Sequence, residues 1–126
     1  YVGICGGATT ANQYGLVDCT TYKFNVRGPV WVKLQPHPLT DGYDTGRMVL
    51  FPHASGPLFV PRSEDQQTVL TFDVGDPPLP TFSHTVVRVL GKGRVVVFSG
   101  HPEGSADTRP MLRNAVMWTA RIIGDN

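Results

Sequence analysis

The sequence predicts an α/β fold in which a buried strand turns sharply into a helix near the start of the chain and antiparallel strands are added through the middle. Three observations carry that expectation. Arg94 to Phe98 is a near-continuous apolar run, of the kind found in strands buried on both faces of a sheet. A second run, in "HTVVRVL", meets it across Gly91-Lys92-Gly93, a turn of hairpin length. Finally, "MLRNAVMWTARIIG" sets Leu112, Ala115, Val116, Thr119, Ile122 and Ile123 at helical spacing, with Asp107 or Thr108 as cap and Gly124 as stop.

The remaining elements follow in order. "YVGIC" reads as the tail of a buried strand, and "GGATTANQYG" as a short helix of poor intrinsic propensity that Gly15 closes and only packing holds. Pro29 to Leu34 is a strand with Val30, Val32 and Leu34 on one face, followed by a loop rich in proline and glycine, "QPHPLTDGYDTG". "RMVLF", "PLFV" and "TVLTFDV" are three further short strands. The 14 glycines and 11 prolines that divide these runs form no repeat and no low-complexity tract.

At 126 residues the whole chain, 1–126, is expected to form one domain, and 40% apolar with 17% charged residues suits a folded soluble protein. No stretch reaches the roughly 20 apolar residues that span a bilayer. Eleven Lys and Arg are scattered among ten acids for a net charge of +1, without the basic stripe of a nucleic-acid binder. Neither nucleic acid nor membrane is therefore an expected partner. Cys5 and Cys19 are too few for a disulfide framework and too far apart for a C-x-x-C motif, so a reduced, cytoplasmic setting is expected.

Gly3-Ile4-Cys5-Gly6-Gly7 has the chemistry of a nucleophile elbow. A strand that folds abruptly into a helix holds the turning residue in a strained conformation, provided the residues two before and two after it are small. The helix would aim its N–H groups at the sulfur, an arrangement that favours a thiolate, and the Gly6 N–H would be an oxyanion donor. A buried structural thiol beside a glycine turn explains the pentapeptide equally well. His101 and Glu103 shift the balance. They follow the buried run "RVVVFSG", project to one side of an extended segment, and are stiffened by Pro102, as a base and its orienting carboxylate require.

G-I-C-G-G followed much later by H-P-E resembles the class I glutamine amidotransferase-like superfamily. Within it, "YVGICGGA", "HPLTDG" and "GKGRVVVFSGHPEGSADTRPMLRNAVMWTA" look most like the amidotransferase-like domain at the N-terminus of some biotin-protein ligases and its free-standing relatives. The resemblance implies a three-layer α/β/α (flavodoxin-like) sheet and a triad of Cys5 as nucleophile, His101 as base and Glu103 as its partner. It implies a small amide-type substrate and no cofactor. The glutaminases of the class carry a histidine and glutamine shortly after the elbow, whereas this chain has Gly7-Ala8-Thr9.

The resemblance also implies more protein. Family members precede the elbow strand with strands and helices that make about half of the sheet and supply the second oxyanion donor, while here four residues precede Cys5 and none is an initiator methionine. The N-terminal half is expected to be missing, with completion by a separate piece or by a second copy of the chain. A single oxyanion donor would leave the fragment a weak catalyst, since losing one costs about 100- to 1,000-fold.

The other candidates are structural. His37, His53 and His84 lack ligand-spaced partners and read as loop residues, so no metal is expected. Gly91-Lys92-Gly93 is too short to cradle phosphate. Trp31 and Trp118 read as core or interface residues and Cys19 as a structural thiol. Three classes of function remain open: a Cys-His-Glu hydrolase or amidotransferase, a catalytically silent relative serving as a binding or assembly module, and an unrelated secreted β-rich domain with Cys5 and Cys19 bridged.

Overall fold

A computed structural model describes residues 1–73 and 82–124. Val74, the last residue of the expected "TVLTFDV" strand, lies outside them. Among the described residues eight strands form one sheet: β1 (Val2–Ile4), β2 (Cys19–Tyr22), β3 (Val30–Leu34), β4 (Met48–Phe51), β5 (Leu58–Pro61), β6 (Gln66–Phe72), β7 (Ser83–Leu90) and β8 (Gly93–Phe98). Helix α1 (Gly6–Gln13) follows β1, and α2 (Arg109–Thr119) follows β8. The main strand order is β1-β8-β7-β6-β3-β4. Of these strands only β1 and β8 run parallel; every other pairing is antiparallel, as expected for added strands. The outer edge of β1 has no strand against it among the described residues.

Alternation along β8 builds the layers. Val96 and Phe98 face a core completed by Met111, Ala115 and Trp118 of α2, while Val95 and Val97 face one completed by Ala8 and Ala11 of α1. The two helices thus cover opposite faces of β8, the three-layer arrangement expected. Its apolar character follows from being buried on both sides. The hairpin turn is tighter than its glycines suggest. Leu90 pairs with Gly93, so Gly91 and Lys92 alone make the turn and Gly91 takes φ 60°. Strand β3 buries Val30, Val32 and Leu34 and leaves Trp31 half exposed.

Three expectations need correction. Helix α2 buries Met111, Ala115 and Trp118 and leaves Val116 51% exposed, so its core stripe is rotated from the predicted one, and Ile122, beyond the end of the helix, is 67% exposed. The helix ends at Thr119 and does not run to Gly124, because Arg94 captures its C-terminal carbonyls. The Arg94 guanidinium lies 4.9 Å from the Trp118 ring centre and donates to the carbonyls of Trp118, Ile123 and Gly124. His84 is not a loop residue but a fully buried member of β7, and His53 is also buried. Strand β2, short and largely polar, gave no sequence signal; it pairs with β5 and carries the buried Cys19.

Candidate active site

Cys5 stands between β1 and α1 with φ 54° and ψ −106°, one of three non-glycine residues at positive φ among those described. That conformation costs on the order of 1–3 kcal/mol and persists only where the surroundings impose it. The constraint is visible on both sides. The Cys5 N–H donates to the Phe98 carbonyl at 2.8 Å, and the Cys5 carbonyl accepts from Ala8 and Thr9 as α1 begins. A Cβ on Gly3 would meet the Gly7 carbonyl oxygen at 2.7 Å, so the position two before the cysteine must be glycine. A Cβ on Gly7 meets only the Tyr1 hydroxyl at 3.6 Å, an ordinary contact, so the small-residue requirement does not hold two after it. Gly6 N–H and Gly7 N–H are the first two of α1 and have no intrahelical acceptor, which leaves them available as oxyanion donors.

His101 leaves β8 three residues after its last pair. Its Nδ1 lies 2.9 Å from Glu103 Oε2 across Pro102, which is itself buried. With Nδ1–H donated to the carboxylate, Nε2 is the acceptor nitrogen, as in a base oriented by an acid. The loop is fastened to α2, where the Thr108 hydroxyl donates to the Pro102 carbonyl at 2.7 Å and Arg109 Nε donates to the Glu103 carbonyl. Thr108 is thus the N-cap by position, but its hydroxyl holds the His-Pro-Glu loop and makes no cap bond.

Residues 52–57, between β4 and β5, form a strap across the sheet's rim that touches both halves of the candidate site. The His101 N–H donates to the Pro52 carbonyl at 2.8 Å, and Cys5 Sγ lies 3.6 Å from the Ala54 carbonyl oxygen. Cys5 follows the C-terminal end of β1 and His101 that of its parallel neighbour β8, so both leave the sheet at the same edge. The strap sits close because glycines allow it. A Cβ on Gly56 would fall 2.0 Å from the Ser99 carbonyl oxygen, and one on Gly100 would fall 2.6 Å from both the Pro52 oxygen and His84 Nε2. At Ser83, beyond the last β7–β8 pair, β5 takes the position beside β7 that β8 occupies further along.

His84 is the site residue that sequence reasoning missed. It accepts the Gly100 N–H on Nε2 at 3.1 Å and donates from Nδ1 to the Thr85 hydroxyl at 2.7 Å, which anchors the backbone just ahead of His101. Complete burial, and to a lesser degree the neighbouring His53, hold it well below the usual imidazole range. A histidine opening a β-branched run was the available signal. Burial likewise lowers His53, whose Nε2 donates to the Gly56 carbonyl at 3.0 Å while its buried Nδ1 has no partner.

Two clefts flank the strap. One of about 450 Å³ lies on the α1 side, lined by Thr9, Lys23, Asn25 and Ser55 among others. The other, about 410 Å³, lies on the His101 side. Cys5 and Cys19 are both free, which removes the bridged, disulfide-bearing alternative. Burial pushes the Cys19 thiol up to about 11, as befits a structural thiol. Among the described residues no three His, Cys, Asp or Glu side chains cluster to hold a metal ion, and no helix is long and apolar enough to cross a membrane.

No family model and no curated protein matches the chain. Solved structures do. PurLQS from Thermotoga maritima aligns with a TM-score of 0.70 at 17% identity, over 93% of this chain and 60% of that one. A glutamine amidotransferase from the same organism aligns at 0.57 and 17%, over 97% and 50%. A Thermoplasma acidophilum protein described as a GMP synthase subunit aligns at 0.67 and 16%, over 96% and 57%. The chain therefore has the α/β fold of glutamine amidotransferase-like proteins. It spans 50–60% of the length of these three.

Proposed function

We propose that this chain is the elbow-bearing part of an amidotransferase-like domain in which Cys5, His101 and Glu103 hydrolyse, or transfer an acyl group from, a small amide. The observation that carries the reading is the positive-φ Cys5 at a strand–helix turn, on the same rim as a histidine held 2.9 Å from a carboxylate. Cys5 Sγ attacks the amide carbon as its proton passes to His101. The oxyanion forms against Gly6 N–H. The C–N bond then breaks, the amine departs with the proton from His101, and water attacks the resulting thioester by the reverse route.

Completion is part of the proposal. Strands added along the free edge of β1, from further polypeptide or a second copy, would satisfy its outward backbone groups and supply a second oxyanion donor. The fold neighbours' greater length supports this. Likeness to the amidotransferase-like domain of biotin-protein ligases rests on the quoted sequence stretches. The absence of a His-Gln pair at Gly7-Ala8-Thr9 disfavours glutamine itself as substrate.

A catalytically silent binding module is the second reading, favoured by the Cys5 contact with the Ala54 carbonyl, an acceptor and not a base. Incubation with p-nitrophenyl acetate followed by intact mass measurement separates the two. Acetylation on Cys5, absent in Cys5→Ala and slowed in His101→Ala, supports the hydrolase; no acylation supports the silent module.

A further inference from the structure

We propose that the cleft on the His101 side of the strap receives an apolar amine leaving group, so that the substrate is a secondary amide with a hydrocarbon substituent on nitrogen. This deepens the hydrolase reading and rests on it for the reaction, though not for the binding.

Four observations support the assignment. First, the cleft adjoins the backbone of His101, the residue that would hand a proton to the departing amine. Pro52, in its wall, accepts the His101 N–H, and Gly104, also in its wall, donates to the His101 carbonyl at 3.0 Å. In amide cleavage the leaving nitrogen must lie at the general acid, so whatever it carries extends to that side. A primary amide releases ammonia and has no use for a cleft there.

Second, the lining excludes charge. Pro29, Leu50, Pro52, His53, Gly104 and Ser105 line it, and none carries a formal charge, since burial disfavours protonation of His53. The cleft across the strap, by contrast, contains Lys23. A volume of about 410 Å³ lies within the range of small-molecule sites.

Third, the one titratable residue of the wall offers the cleft no hydrogen-bond donor. Because His53 Nε2 gives its proton to Gly56, Nδ1 is a bare lone pair in a residue only 5% exposed, with no hydrogen-bond partner. Such atoms are rare and costly.

Fourth, the apolar surface continues outward. Leu50 pairs directly with Trp31 on β3, and both are exposed, 40% and 50%, so a hydrocarbon group leaving the cleft remains on apolar surface.

The test is equilibrium binding of N-benzylacetamide, acetamide and glutamine to Cys5→Ala protein, which cannot turn them over, by ligand-observed NMR. The expected result is binding of N-benzylacetamide at least about tenfold tighter than either comparator, some 1.4 kcal/mol. Leu50→Asp and Pro29→Asp, both at exposed positions, should each weaken it about tenfold with the circular dichroism spectrum unchanged. Equal binding of all three compounds, or unchanged binding in both folded variants, overturns the assignment. The hydrolase reading fails separately: acylation of Cys5 that ignores His101→Ala sinks the triad while leaving this binding intact.

Discussion

Cys5 Sγ lies 3.6 Å from the carbonyl oxygen of Ala54, on the same strap whose Pro52 carbonyl accepts the His101 N–H at 2.8 Å. One short segment between two strands thus ties together residues 96 positions apart in sequence. Much of the chemistry proposed for this protein depends on how firmly that strap is seated.

The glycines beneath the strap should therefore be intolerant. Gly100→Ala pushes a methyl group into the Pro52 oxygen and His84 Nε2, both 2.6 Å away, and should lower stability by about 1–3 kcal/mol in urea unfolding. Gly3→Ala should behave similarly at the elbow. Gly6→Ala, with nothing within 4 Å of its added carbon, should be neutral.

The two thiols should differ sharply. Cys5 is partly accessible at the rim, whereas Cys19 is 3% exposed and burial pushes its thiol up to about 11. Iodoacetamide at pH 7.5 should modify one cysteine in native protein and two after unfolding, with peptide mass mapping assigning the first to Cys5. Equal modification of both in the native state would mean that β2 is not seated against β5.

Stability should fall in mild acid. Burial lowers His37 to about 4 from an ordinary 6.5, with nearby Arg94 adding to the effect and Asp41 opposing it. Complete burial also holds His84 well below its ordinary value. Between the folded and unfolded values the unfolded chain binds more protons than the native one, so unfolding free energy increases with pH across that window. The contribution is complete above about 6.5 and is lost as pH drops toward 4. Urea midpoints measured from pH 7.5 to 4.5 should decline, with the decline smaller in His37→Gln.

Arg94 should be the most sensitive charged residue. It is 7% exposed and closes α2 by donating to three carbonyls. Arg94→Met keeps the bulk but strands those acceptors, and should cost on the order of 2–4 kcal/mol by urea unfolding.

The parts of this fold that local periodicity controls were legible in the sequence. Alternation in Val30 to Leu34, the apolar run ending at Phe98, and the glycine-flanked Cys5 each imposed its structure because the relevant neighbours lie within a few residues. What the sequence withheld was determined at a distance. The end of α2 at Thr119 depends on Arg94, 24 residues from Trp118, and His84 packs where the strap crosses at Gly100. The strap gave no periodic signal, since four of its six residues, Pro52-His53-Ala54-Ser55, bond mainly through backbone atoms to elements far away in the chain. The pairing of His101 with Glu103 was readable from two-residue spacing; their shared rim with Cys5 required the three-dimensional structure.

The most direct measurement is the rate of Cys5 alkylation as a function of pH in the unaltered protein, His101→Ala and Glu103→Gln. If imidazole and sulfur act as one unit, removing His101 slows the reaction near pH 7 at least tenfold and moves the profile to higher pH, with Glu103→Gln intermediate. Superimposable profiles for all three proteins would mean that the histidine does not serve the cysteine, and the catalytic account would not stand.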